Sequence, residues 1–342
     1  MPGPYNGIRT QKGGRITERT GILSLFGGLA LFLFGMDRMS EALQQAAGER
    51  LRRALAALTR TPLTGALAGM AVTAVMQSSS ATTVMVIGFV SAGLLELPQA
   101  VAVIFGANIG TTVTAQLLAF RVEEMLGLVL FWGFFLCAVA RTERGRQMGT
   151  AVFSFGLLFA GMEQIQSVVE PLALRPEFEA WMAQVREKPL WGLLLGLGMT
   201  LVVQSSSATI GVLQGVARQA GPDGVHSLLG LAGAVPVLLG DNVGTTITAI
   251  IAAAGGTRDA KRAAAAHCCF NLSGSLVCLL ALPWFVRLVE LLPPEGEELE
   301  IIARQIANAH TLFNALCTLI WLPLTPLMVR LVTTLVPEKR TE

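Results

Sequence analysis

Charge is scarce in this sequence: Asp, Glu, Lys and Arg together make up 14% of its residues, against 53% that are hydrophobic. Soluble globular domains carry roughly a quarter of charged residues. Together with a mean hydropathy of +0.60 and apolar runs such as Gly21 to Met36, this excludes an ordinary soluble fold and indicates a polytopic membrane protein. The formal net charge is only +2, and the basic residues are scattered over short stretches. Nucleic acid is therefore excluded as a partner. The five cysteines lie in apolar stretches without C-x-x-C spacing, so neither a disulfide framework nor a zinc site is indicated and they read as packing residues. Histidine occurs three times and no G-x-S-x-G elbow is present. This reduces a membrane hydrolase with a Ser nucleophile to a remote alternative.

What the sequence does have is repetition. QSSSATT at Gln77 to Thr83 returns as QSSSAT at Gln204 to Thr209. Each lies in a longer block, opened by Pro62 and by Pro189, with Pro, Gly and Gln-Ser-Ser-Ser all 127 residues apart. GANIGTTVTA from Gly106 then matches GDNVGTTITA from Gly240, 134 residues on, and LFGMD (Leu33 to Asp37) matches FAGME (Phe159 to Glu163). Three blocks in one order mean a duplicated half. Arg9, Lys12, Arg15 and Arg19 precede the first apolar run like a signal peptide. Because that run belongs to the repeat, its retention is expected.

Length gives the disposition in the bilayer. Residues 62 to 96 would extend roughly 52 Å as one helix, against a hydrocarbon core of roughly 30 Å, so a broken re-entrant hairpin fits better. Residues 98 to 120 suit one crossing that Asn108-Ile-Gly-Thr-Thr should interrupt. Single crossings are expected at 21–39, 125–140, 149–169, 263–290 and 306–336. Three crossings between the Ser clusters would turn the second half upside down. The expected fold is an all-α polytopic membrane protein of two inverted repeats, each with a broken re-entrant hairpin and a discontinuous transmembrane helix. In these terms the chain divides into a tail (1–20), repeat 1 (21–140), a linker (141–148), repeat 2 (149–290), a C-terminal transmembrane region (291–336) and a tail (337–342). Stretches 44–60, 141–147 and 258–262 are net basic, whereas 121–124, 170–188 and 293–304 are net acidic. The basic set is expected to be cytoplasmic, but the N-terminal tail, itself basic, would then lie outside, so orientation stays open.

Polar groups in hydrocarbon cost several kcal/mol each unless satisfied, so a Gln-Ser-Ser-Ser run interrupts a membrane helix only against protein or a watery cavity. Half-helix N-termini, Ser hydroxyls and Gln amides suit an anion. Carbonyl, amide and hydroxyl oxygens suit a hard monovalent cation. A close-packing face of small residues is the bland alternative. Asp241 replaces Ala107 of the other half and reads as a cation ligand or proton carrier. Asp37 and Glu163 close apolar runs and read as interfacial. His267 and His310 each head an H-x-x-F-N, which favours hydrogen bonding in the core over metal ligation.

QSSSATT followed by SAGLLELPQAVAVIFGANIGTT, the second QSSSAT, GDNVGTTITA and HCCFN resemble the type II sodium/phosphate cotransporter family, over roughly residues 25–320. That resemblance implies sodium-driven uptake of inorganic phosphate, with no cofactor beyond the coupling sodium ions, in a bacterial cytoplasmic (inner) membrane. It assigns phosphate to Gln77, Ser78, Ser79, Ser80, Gln204, Ser205, Ser206 and Ser207. It assigns sodium to Thr82, Thr83, Thr209, Asn108, Thr111, Thr112, Asn242, Thr245 and Thr246, and Asp241 joins them as a cation ligand. A symporter of another oxyanion or carboxylate, driven by sodium or protons, fits the same donors. The first half has RVEEMLGLVLFWG where the second has an H-x-x-F-N, which argues against a strictly two-fold site. Some bacterial members resemble this chain but add a helical regulatory domain, so any regulation here is expected from a separate protein.

Overall fold

The computed structural model describes residues 18–58, 61–120 and 125–338, with side chains placed from Gly21 to Ala46 and, beyond that, from Thr61. Arg9, Lys12 and Arg15 of the N-terminal tail, the acidic stretch 121–124 and residues 339–342 lie outside the described residues. Every element described is a helix: α1 (Glu18–Leu58), α2 (Pro62–Met76), α3 (Ser79–Ser91), α4 (Leu97–Leu118), α5 (Leu126–Val139), α6 (Glu143–Ala173), α7 (Pro176–Glu187), α8 (Pro189–Val203), α9 (Ser206–Ala217), α10 (Gly230–Gly244), α11 (Thr246–Ala253), α12 (Arg258–Leu280), α13 (Leu282–Glu290), α14 (Glu298–Trp321) and α15 (Thr325–Leu335). Five stretches are long and apolar enough to cross a bilayer: Gly21–Ala46, Leu97–Leu118, Glu143–Ala173, Gly230–Ala253 and Arg258–Leu280. The shorter helices α2/α3 and α8/α9 form the two hairpins, broken where the Ser clusters fall.

The two halves are inverted, and α1 and α6 show it directly. These helices carry the equivalent LFGMD and FAGME blocks, and they pack antiparallel through glycines. A Cβ added at Gly161 would strike the Gly28 carbonyl, and one added at Gly35 would strike the Ser154 carbonyl. Gly35 is equivalent to Gly161 and Gly28 to Ser154, so the contact is self-complementary, as a two-fold axis across the helices requires. The axis passes close to Phe32 and its equivalent Leu158, both 1% exposed. The same antiparallel packing places the basic stretches at the end of α1 and the start of α6 on one side.

Asp37 and Glu163 each lie five residues beyond that axis, about 8 Å along their helices. Both side chains are exposed.

The centre is built on α4 and α10. Glycines bring α2 against α4 and α8 against α10 so closely that Cβ atoms at Gly69 and Gly106 would meet the carbonyls of Val103 and Ala66. Those at Gly196 and Gly240 would likewise meet Val237 and Leu193. Small residues therefore do pack helix on helix, but in the G-x-x-x-G pairs beside the Ser clusters rather than in the clusters themselves.

Two expectations of the helix layout are corrected. α4 runs unbroken through Asn108 to Thr112, because Asn108 Nδ2 donates to Ile104 O at 2.8 Å and Thr112 Oγ1 to Ile109 O at 2.7 Å. The polar side chains are absorbed by their own helix and the backbone ladder survives. In the second half Asn242 and Thr245 do the same, and only Thr245 separates α10 from α11. Residues 306–336 are not one crossing either, since α14 and α15 meet at 87°. Likewise α12 stops at Leu280, before Pro283 at the start of α13.

Pairs α12–α13 and α14–α15 are themselves a tandem repeat at an offset of 43. His267, Phe270 and Asn271 match His310, Phe313 and Asn314, and Pro283, Val286 and Arg287 match Pro326, Val329 and Arg330. Short α5, about 21 Å long against a core of about 30 Å, packs along α6 and has no such counterpart.

Candidate functional site

Each break is made by one glutamine. Gln77 (φ 55, ψ 23) and Gln204 (φ 54, ψ 23) are the two non-glycine residues with positive φ among those described. Holding a β-carbon in the left-handed region costs on the order of 1–3 kcal/mol, and such strain clusters at functional sites. The turn ends α2 and α8 and lets the next residue cap a new helix. Ser78 Oγ accepts from Ala81 N at 3.1 Å and Ser205 Oγ from Ala208 N at 3.3 Å. The first amides of α3 and α9, at Ser79, Ser80, Ser206 and Ser207, have no partner within their own helices. A threonine pair ties the two arms of each hairpin: Thr73 to Thr82 at 2.9 Å, Thr200 to Thr209 at 3.0 Å.

The halves differ around this shared frame. In the first, Gln77 is 5% exposed, its Nε2 donates to Ala74 O and its Oε1 accepts from Thr114 Oγ1 at 2.9 Å. Ser40 of α1 donates to Met76 O at 2.6 Å, just before the break. In the second, Gln204 is exposed. Thr248, which is equivalent to Thr114, donates to Thr245 O of its own helix at 2.9 Å. Asp241 belongs to this second half: it is fully buried, its Oδ1 accepts from Thr200 at 2.6 Å, and its Oδ2 has no partner.

Thus Thr82 joins the first break through Thr73, while Thr209 and Asp241 join the second through Thr200. Thr83 is buried with its hydroxyl unpaired, and Thr111 is buried as well. Thr112, Thr245 and Thr246 donate their hydroxyls to the carbonyls three residues back, at Ile109, Asn242 and Val243. Asn108 and Asn242 point their Oδ1 atoms at His267 and His310. Among the described residues no hydrogen bond joins one Ser cluster to the other. What meets across the halves is hairpin arm against central helix: Gln214 of α9 donates to Ala115 O of α4, next to the Thr114 that holds Gln77. Cavities of about 430 and 250 Å³ lie elsewhere, near α7 and the starts of α10 and α14, and no Ser-cluster residue lines them.

Thr73, Thr200 and Thr114 were not singled out from the sequence, although each stands at a repeat offset from a threonine, four residues before Gln or inside TTVTA and TTITA. Ser40 gave no signal, since its contact lies 36 residues away.

Comparison with known proteins agrees with this geometry. The family model described as Na+/Pi-cotransporter matches twice in tandem, over residues 31–167 and 169–314. The YqeW protein of Bacillus subtilis (strain 168) is 33% identical over 275 residues, covering 80% of this chain and 87% of its own. YjbB of Escherichia coli (strain K12), named as a candidate inorganic phosphate export protein, is 27% identical over 258 residues, 75% of this chain but 46% of its own length. Sodium-dependent phosphate transport protein 2A of Rattus norvegicus is 38% identical over 97 residues, 28% of this chain and 15% of its own. No solved structure matches. With both halves matched by one model, this integral membrane protein belongs to the Na+/Pi-cotransporter family.

Proposed function

We propose that the protein moves inorganic phosphate across a bacterial cytoplasmic membrane by sodium-coupled symport with alternating access. The observation that carries this reading is the pair of left-handed glutamine breaks in inverted halves, each opening a helix N-terminus capped by serine. Phosphate would be held by the amides and side chains of Gln77, Ser78, Ser79 and Ser80 and of Gln204, Ser205, Ser206 and Ser207, whose donors match its acceptor oxygens. Sodium would be held by oxygens of Thr82, Thr83, Thr209, Asn108, Thr111, Thr112, Asp241, Asn242, Thr245 and Thr246. The buried, half-paired Asp241 carboxylate supports a cation there, because an isolated buried charge calls for a counter-ion. Opposite charges sharing a low-dielectric space stabilise each other, which couples the two cargoes.

A second reading, export, is favoured by the name of the Escherichia coli relative. Uptake of labelled phosphate into proteoliposomes, with sodium, potassium or proton gradients imposed in either direction, separates the two. Inward flux driven by inward sodium supports symport; flux indifferent to sodium overturns the coupling, and sulfate outcompeting phosphate reassigns the anion.

A further inference from the structure

The two H-x-x-F-N motifs take no direct part in the site described above, yet they are wired to it with two-fold symmetry. His267 Nε2 lies 3.3 Å from Asn108 Oδ1, and His310 Nε2 lies 3.2 Å from Asn242 Oδ1. α12 therefore reaches the first half's central helix and α14 the second's. The second attachment of each helix crosses over in the same manner. Thr318 of α14 donates to Phe105 O of α4 at 3.1 Å, and Ser275 of α12 to Leu239 O of α10 at 3.4 Å. Residues 275 and 318 are 43 apart and residues 105 and 239 are 134 apart, as the two repeats require. The histidine missing after the first NIGTT block is thus supplied by His267 of α12, from the second half, and the arrangement is two-fold after all.

Each Asn amide is fixed at both ends. Nδ2 of Asn108 donates to Ile104 O and Nδ2 of Asn242 to Leu238 O, so Oδ1 is the atom that faces the imidazole. A carbonyl oxygen there needs a donor, which sets the neutral ring as its Nε2–H tautomer and leaves Nδ1 an acceptor. Both Nδ1 atoms are buried without a partner. A core bond kept for stability alone would not leave a buried nitrogen unsatisfied at both copies, because each such atom costs free energy. An amide oxygen has two lone pairs. The imidazole takes one and locks the plane, which leaves the other in a set direction for a hard cation.

We infer that His267 and His310 are positioning residues that orient the Asn108 and Asn242 carbonyl oxygens for sodium. The inference rests on the proposed sodium-coupled reading of these asparagines. Two amide variants of each histidine test it, since Gln extends its terminal amide towards the Nε2 position whereas Asn stops near Nδ1. In reconstituted protein, H267N and H310N should each raise the half-saturating sodium concentration about tenfold, as loss of an orienting partner typically does. H267Q and H310Q should stay near wild type, and the phosphate KM at saturating sodium should be unchanged in all four. Equal behaviour of the Gln and Asn variants, or a shift confined to phosphate KM, would overturn the inference. So would failure of both amide variants to fold, which would make the ring a packing requirement. If wild-type flux itself ignores sodium, the symport reading fails instead; a sodium-induced change in tryptophan fluorescence of the purified wild type and variants then still decides whether the histidines set cation affinity.

Discussion

The two glutamine breaks have the same backbone and opposite surroundings. Their φ and ψ values agree within a degree, both are followed by a serine cap, and both close on a threonine pair. Yet Gln77 is buried, bonded to Thr114 and roofed by Ser40 of α1, while Gln204 is exposed and its counterpart threonine has turned to its own helix. The α1/α6 pair differs alongside. α1 packs along α2, whereas α6 meets the second hairpin through α9. The backbone of the break is thus the same in both halves, and what differs is the cover. Covering one break at a time is what alternating access needs from an inverted repeat.

The largest effect should come from removing the glutamines without disturbing the turn. Glycine adopts positive φ freely, so Q77G and Q204G should fold and should each cut phosphate transport about a hundredfold, the order expected on losing donors to a charged ligand. A variant that transports normally would remove its half from the site. Stability should separate the pair: Q77G forfeits the bonds to Ala74 and Thr114, while Q204G relieves the strain at an exposed side chain without losing such bonds, so thermal unfolding in detergent should rank Q204G above Q77G.

Asp241 sharpens the comparison next, because its counterpart is Ala107. D241N replaces a buried carboxylate with one unpaired oxygen by a neutral amide. Sodium should raise the wild-type Tm through mass action and leave that of D241N nearly unmoved, whereas an equal sodium shift in both proteins would place the cation elsewhere.

A smaller effect concerns access. In a background without the five native cysteines, Gln204→Cys should react with a small polar maleimide about tenfold faster than Gln77→Cys in the ligand-free protein, by analogy with the dependence of thiol chemistry on exposure. Equal rates would erase the asymmetry.

The smallest effect lies outside the membrane, in the loop between α9 and α10. Asp223 accepts from Val225 N and His226 N and pairs with the His226 ring at 2.6 Å. The bond to Asp223 raises the His226 pKa, and the backbone bonds from His226 and Val225 hold Asp223 well below the usual carboxylate range. The raised histidine contributes order that is complete below its ordinary pKa and lost as pH rises through the raised value. The depressed aspartate contributes order that is lost only as pH falls through its own low value. Hydrogen exchange of the peptide spanning 219–228 should therefore show a protection step just above the ordinary histidine range, absent in Asp223→Asn.

Much of the frame was legible in the sequence because repeats are read by offset alone. The Ser clusters, the hairpins they break and the inversion of the halves follow from Gln77 and Gln204, the Pro starts and the apolar lengths. The NIGTT and NVGTT blocks misled because composition does not show where a side chain donates. Asn108 and Thr112 look like helix breakers until their protons are found on Ile104 and Ile109. The role of the H-x-x-F-N pair stayed hidden for a different reason. Its partners are 159 and 68 residues away, and the 43-residue repeat behind it keeps little beyond His, Phe, Asn and P-x-x-V-R-L-V. The cover provided by Ser40 is purely tertiary and left no trace in the pattern.

A single shared anion site made by both breaks is tested most directly by calorimetric titration of the purified protein with phosphate in the presence of sodium. One phosphate per chain, weakened about a hundredfold by Q77G and equally by Q204G, is the result this arrangement requires. Two phosphates per chain, or one glycine variant that still binds at full affinity, would show that each half works alone.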